Sequence, residues 1–329
     1  MKIWHCLPFV MCVMVFTICA QGNGNRQGQE KILITSVNTN NTISDVIHNQ
    51  AFDGFGQFIF PIKNRSSYNA NMTLGNIQPL LPYHSNINVS TTVSVINYML
   101  DEVKNGKTIF YNFYTDTQRQ NDRSKEATGL FYFRGMPGAP FAVICAGGGF
   151  SYVGSIHESF PLALELSKKG YNTFAIEYRV GSERTATEDL AMALSFIFRN
   201  AETLGVSTGN YSVWGGSAGA RMAANIGSNG VAAYGGDSIP KPCVVVMQYT
   251  GHSHYTPNDP PTFAVVGEND GIASPAVMER RINNLRGNGV DVEFHRYPNV
   301  GHGFGLGIET SAEGWINNAI QFWEKHIIR

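Results

Sequence analysis

The sequence predicts an α/β fold, a mostly parallel sheet covered by helices on both faces, preceded by an N-terminal extension or cap. Three observations predict it. From residue 108 onward, short strand-like runs alternate with helical ones. The central runs FAVICA (141–146), CVVVMQY (243–249) and TFAVVG (262–267) are apolar at nearly every consecutive position. Strands buried on both faces read this way, whereas half-exposed strands alternate. The composition, 43% hydrophobic against 15% charged in 329 residues, supplies one large core plus an extension.

The elements follow in order. Residues 1–20, MKIWHCLPFVMCVMVFTICA, carry one positive charge, an apolar run and a small residue, Ala20. They predict a secretory signal removed near Ala20, and hence a secreted or periplasmic protein. The rival readings are an uncleaved anchor and lipid attachment at Cys19. Residues 21–107 are rich in Asn, Ser and Thr and predict little regular structure. The exception is VSVINYMLDEVKNG (93–106), where Val93, Ile96, Met99, Leu100 and Val103 recur at helical spacing and Gly106 supplies a stop. FDGFGQFIFPI (52–62) is a second apolar patch, read equally well as a strap on the main domain or a cap over a pocket.

Residues 108–329 form the main domain. TIFYNFYT (108–115) and TGLFYFRG (128–135) predict strands of the alternating, half-exposed type. Then come strand 141–146, helix 155–170, strand 171–178, helix 190–205, strand 211–214 and helix 220–227. Strands 243–249 and 262–267, helix 274–287, strand 290–297 and helix 315–326 complete the series. In such a sheet, ligands gather at the carboxyl ends of the strands.

Charge and cysteine content exclude some functions. The net charge is −1 and no basic stripe occurs, so a nucleic-acid partner is not expected. A membrane partner is expected only if the N-terminus is lipidated or uncleaved. Beyond the signal, Cys145 and Cys243 lie in apolar runs and read as inert buried thiols rather than a disulfide framework.

Two G-x-S-x-G patterns occur, GVSTG (205–209) and GGSAG (215–219), and context separates them. The first enters the amino end of a strand. The second leaves a strand and opens a helix, so its glycines permit a sharp elbow that lifts Ser217 above the sheet near the helix dipole. A serine hydroxyl needs a base and an orienting acid. After strand 262–267 come Glu268 and Asp270, of which Asp270 lies deeper in its loop; after strand 290–297 comes His302 between Gly301 and Gly303. The order Ser217, Asp270, His302 follows. The triple glycine after FAVICA places the amides of Gly148, Gly149 and Phe150, with that of Ala218, as oxyanion donors.

AGGGF, EYRV, GGSAGA, PPTFAVVGENDGIAS and GHGF together give residues 128–329 a resemblance to the α/β-hydrolase superfamily, specifically secreted esterases of the lipase and acetylxylan-esterase type. The resemblance implies Ser217 as nucleophile with Asp270 and His302 as partners, and the triple glycine as oxyanion loop. Ala146 stands where the family's HGGG has its histidine, a departure that bears on the loop's shape and not on its backbone donors. A serine esterase acting on a small-molecule or oligosaccharide ester, preferably acetyl or feruloyl esters of carbohydrate, is the expected function. No cofactor is implied. A prolyl-oligopeptidase-type peptidase and a non-catalytic binding protein with the same fold are the alternatives.

Three further groups stand out. His252 and His254, after a strand end, read as pocket lining for substrate, since a metal site would need a third ligand. His157 and Glu158 read as helix surface or cap contacts, and Asp189 as a charge at a helix N-terminus.

Overall fold

A computed structural model describes residues 33–62, 69 and 71–327. The expected signal segment 1–20, with Ala20 and Cys19, lies outside the described residues. Among the described residues no helix is long and apolar enough to cross a membrane.

The chain forms α1 (Ile43–Ile47), α2 (Val89–Lys104), β1 (Phe110–Tyr111), α3 (Asp116–Asn121), β2 (Gly129–Phe133), β3 (Pro140–Cys145), α4 (Ser159–Lys168), β4 (Asn172–Glu177), α5 (Glu183–Arg199), α6 (Ala201–Leu204), β5 (Ser207–Gly216), α7 (Ala218–Asn229), β6 (Val244–Gln248), β7 (Thr262–Gly267), α8 (Pro275–Gly287), β8 (Val292–Tyr297) and α9 (Trp315–Lys325). The eight strands make one sheet in the order β1-β2-β4-β3-β5-β6-β7-β8. The β1–β2 and β2–β4 pairs are antiparallel, and every later pair is parallel. Two adjacent residues of β5 show how both faces are covered. Trp214 packs on Trp315 and Trp323 of α9 on one face, while Gly215 abuts the backbone of Gly219 in α7 on the other.

Two strand expectations need correction. Of the run 108–115, only Phe110 and Tyr111 pair with the sheet. Phe113 and Tyr114 leave it as buried residues, because the Tyr114 hydroxyl reaches Asp189 at 2.6 Å, and Thr115 caps α3. β2 is buried at all five positions rather than half-exposed. The rings of Phe55, Phe110 and Phe160 all close on Phe131, so the extension, β1 and α4 together cover this face of β2.

Residues of the extension join the same hydrophobic core as the sheet. Phe52, Ile59, Leu74, Leu80 and Leu81 are buried within it, as are Val95, Ile96, Met99 and Leu100 of α2. Phe55 and Phe58 stack on Phe110 at 5.0 and 5.4 Å, which places the apolar patch 52–62 on the β1–β2 edge. From Leu81 the chain runs to Tyr83, His84 and Ser85, which meet the loops after β3 and β8. Ser85 N–H donates to Gly303 O at 3.0 Å and its hydroxyl to His302 O at 2.7 Å.

Candidate active site

The loops that follow β3, β5, β7 and β8 converge at the carboxyl edge of the sheet. Ser217, between β5 and α7, has φ 50° and ψ −112°. A non-glycine residue there stores on the order of 1–3 kcal/mol, which its neighbours must sustain. Ser217 N–H donates to Gln248 O at 2.9 Å, tying the elbow to β6. Gly219 permits the turn, since a Cβ there would lie 1.9 Å from Cys145 O.

His302 Nε2 lies 2.9 Å from Ser217 Oγ, and Nδ1 lies 2.8 Å from Asp270 Oδ2. With the ring neutral, Nδ1–H donates to the carboxylate and Nε2 accepts the serine proton. Asp270 is buried, and its Oδ1 accepts from the amides of Ile272 and Ala273 at 2.9 and 2.7 Å, so the carboxylate is fully engaged. Glu268, the other acid candidate, is exposed. The His302 ring also packs edge-on against Tyr249, with centroids 5.0 Å apart.

Gly148, Gly149 and Phe150 have φ of 135°, 61° and 54°. Gly148 has no alternative residue type, because a Cβ there would meet Tyr152 O at 2.1 Å. The amides of these three residues and of Ala218 find no acceptor among the described residues. The Ala218 amide opens α7, where the helix dipole favours negative charge. A developing oxyanion requires backbone donors without other acceptors close to the attacking serine.

The EYRV run explains how this loop is carried. Glu177 accepts from Ser155 Oγ, Tyr178 OH donates to Ala146 O at 2.7 Å, and Arg179 pairs with Asp189 at 2.7 Å. Asp189 is therefore not a helix-terminus charge. It lies in the second turn of α5, fully buried, and bonds the Arg179 guanidinium, the Arg179 amide and Tyr114 OH. His157 and Glu158 are likewise buried rather than on a helix surface. An isolated His–Glu pair carries no periodicity that would mark it as buried. The only local signal was a charged pair within two residues of an apolar helix start.

His252 is buried, its Nδ1 3.9 Å from Glu183 Oε1 and its Nε2 without a hydrogen-bond partner among the described residues. It shares this cluster with Arg221, one helical turn beyond Ser217, which pairs with Glu183 at 3.2 Å. His254 is exposed, and its carbonyl accepts from Arg281 Nε at 2.9 Å. The hydrogen bonds described for the two histidines thus lie beside the triad rather than within it. Among the described residues no cluster of His, Cys, Asp and Glu could hold a metal ion.

Buried ionisable groups around the site set an expected pH dependence of stability. Burial, and then His84, pushes His157 down to about 4; burial, and then Arg281, does the same to His252. The unfolded chain takes up these protons near pH 6.5. Stability therefore falls as pH drops from about 6.5 to about 4, by up to about 1.4 kcal/mol per unit for each histidine. Burial raises Glu177 to about 8, so the folded state keeps a proton that the unfolded state releases near pH 4.5. Its contribution falls as pH rises from about 4.5 to about 8. Glu177→Gln is expected to raise the melting temperature relative to the parent at pH 8.5 and to lose that advantage at pH 5; equal differences at both pH values would contradict this.

Comparison with known proteins agrees with this architecture. Residues 134–234 match the BD-FAE family model. No curated protein matches the chain in sequence. Among solved structures, it is similar to MGS-M1, an α/β-hydrolase enzyme from a Medee basin deep-sea metagenome library, at 22% identity over 61% of this chain and 93% of that chain, with a TM-score of 0.53. The acetyl ester-xyloside bifunctional hydrolase from Caldicellulosiruptor lactoaceticus gives 19% identity over 60% and 88%, with a TM-score of 0.53. A truncated carbohydrate esterase from gut microbiota gives 13% identity over 68% and 96%, with a TM-score of 0.54. With its mostly parallel eight-stranded sheet and strand-to-helix elbow at Ser217, the chain has the α/β-hydrolase fold.

Proposed function

We propose that this protein is a serine ester hydrolase acting on small acyl esters of carbohydrate, with acetyl or feruloyl as the acyl group. The observation that carries the reading is the bridge from Ser217 through His302 to Asp270, with the amides of Gly148, Gly149, Phe150 and Ala218 finding no acceptor among the described residues. His302 Nε2 takes the proton as Ser217 Oγ attacks the ester carbonyl carbon. The oxyanion is held by the amides of Gly148, Gly149, Phe150 and Ala218. Collapse expels the alcohol, which receives the proton from His302, and leaves an acyl-serine. Water then attacks by the same path, and the acid leaves. Asp270 keeps the imidazole in the productive tautomer and offsets its transient charge. No cofactor enters this scheme.

The carbohydrate part of the proposal draws support from Tyr83 and from two structurally similar proteins, an acetyl ester-xyloside hydrolase and a carbohydrate esterase. Tyr83 is 43% exposed, stacks on Tyr152 at 5.7 Å and lies against Gly149 of the oxyanion loop. A pyranose ring can lie on such a surface. Tyr83→Ala is expected to raise KM for an acetylated xylo-oligosaccharide about three- to tenfold, the value of one aromatic contact. The rise for p-nitrophenyl acetate should be smaller, and equal effects on both substrates would remove Tyr83 from sugar recognition. We further propose, from the segment 1–20, that the enzyme is exported. Hydrolysis of acetylated xylo-oligosaccharide and feruloyl sugar esters tests the reading directly; cleavage of a proline amide without ester cleavage would overturn it.

A further inference from the structure

We infer that Glu158, held by His84 of the N-terminal extension, is the positioning residue that fixes the oxyanion loop against the Ser217 elbow. The inference rests on the ester-hydrolase reading and adds a residue to it. Ala146 has no polar side chain with which to organise the loop after β3, so the loop must be held from elsewhere. The carboxylate of Glu158, 1% exposed, lies at the amino end of α4 and reaches the loop after β3, Tyr249 and His84. Its Oε2 accepts the Gly147 amide, at the root of the loop. Its Oε1 accepts Tyr249 OH at 2.9 Å, and the Tyr249 ring backs His302. Tyr249 OH in turn accepts the Gly305 amide at 3.3 Å, in the loop that carries His302. The same carboxylate passes behind the nucleophile: a Cβ on Gly216 would lie 2.6 Å from Oε2. A glycine is required there to admit it.

A buried carboxylate persists only when compensated. His84 Nε2 lies 3.0 Å from Oε1, and His84 Nδ1 lies 2.9 Å from Tyr152 OH, which also accepts the Tyr83 amide at 3.1 Å. Gly154, whose amide closes the loop onto Gly147 O at 2.9 Å, leaves room for the His84 ring, since a Cβ there would come within 2.6 Å of it. Burial acts to raise the Glu158 pKa, but attraction to His84 and the hydrogen bonds from His84 and Gly147 outweigh it and hold the group at about 2. Glu158 touches neither substrate nor Ser217 Oγ, so its action is through the position of the donors. The extension thereby supplies a structural part of the active site, and His84 is its point of entry.

The test compares the full chain with Glu158→Gln and Glu158→Ala, and with Ser217→Ala as the reference for Ser217-dependent turnover. Three quantities are read: kcat and KM for p-nitrophenyl acetate, the inhibition constant of an aryl trifluoromethyl ketone that adds to Ser217 as an oxyanion, and the melting temperature. Removal of a single oxyanion donor lowers kcat about 10²- to 10³-fold, so Glu158→Ala is expected to lower it about 100-fold with KM within threefold. The ketone should weaken by the same factor as kcat/KM. Glu158→Gln keeps an oxygen that can accept the Gly147 amide and should recover at least about tenfold of the loss. Should the alanine variant fail to fold, the glutamine variant alone decides: it should still fall below the parent in both kcat and ketone affinity, at a temperature well below its melting point. A lowered melting temperature with unchanged kcat and ketone affinity would overturn the inference and leave the ester-hydrolase reading standing. Absence of Ser217-dependent turnover in the parent would overturn both.

Discussion

Ser217→Ala is expected to abolish ester hydrolysis, lowering kcat by at least about 10⁴-fold, because the acyl-enzyme route needs an oxygen at this position and the remaining groups act only through it. The fold should be unaffected. Alanine accepts the same backbone geometry, φ 50° and ψ −112°, no better and no worse than serine, and the Ser217 amide bond to Gln248 O does not involve the side chain. The measurement is release of p-nitrophenol from acetate and butyrate esters by parent and variant at matched, folded concentrations. Equal turnover by both would remove Ser217 from the mechanism and with it the functional proposal. Loss in the variant would turn attention to acyl length, where the acetate-to-butyrate ratio reports the size of the acyl site.

The largest effect on stability is expected from Gly219→Ala. The new Cβ would lie 1.9 Å from Cys145 O and 2.5 Å from Cys145 C, both backbone atoms of a central strand. No side chain is available to swing away, so either α7 or β3 must move. Overpacking of this kind costs about 1–3 kcal/mol, and contact with rigid backbone places it at the upper end, about 3 kcal/mol. The melting temperature should fall by about 5 °C, and activity should fall further, because α7 begins at the Ala218 amide and is capped by Ser217. Gly287→Ala serves as the control. At that helix position nothing lies within 4 Å of the new Cβ, and the change should be neutral or slightly stabilising. Similar melting curves for the two variants would show that the close approach at Gly219 does not govern packing of the elbow.

The contrast between these two glycines marks the limit of what a sequence discloses. Both are glycines in helices, yet one is wedged against a strand and the other is open. The parallel strands were legible because burial on both faces leaves continuous apolar runs, as in 141–146 and 262–267. The elbow was legible because a strand, G-x-S-x-G and a helix are contiguous in the chain. Asp270 and His302 were legible because each follows a strand end, and a parallel sheet brings all strand ends to one edge. The structure places the three side chains within 2.8 and 2.9 Å hydrogen bonds of one another.

Other residues were not legible, and for one reason. Tyr114 and Asp189 read as a strand residue and a helix-end charge, but their mutual bond and the Arg179 ion pair moved both readings. Strand β2 read as half-exposed, but rings of the extension and of β1 covered it. Glu158 and His157 read as helix surface or cap contacts; they are buried, enclosed by His84 of the extension and by Tyr249 and Gly303.

The sequence by itself determined the sheet, the elbow and the order in which Ser217, Asp270 and His302 follow strand ends, because each is written in periodicity or in contiguous residues. Only the tertiary structure decided which charges are buried and which side chains meet the glycine loop after β3. Those contacts join residues as far apart as Ser85 and His302, 217 positions in sequence. A side chain's partner at that separation is set by the packing of the whole core, to which no local pattern has access.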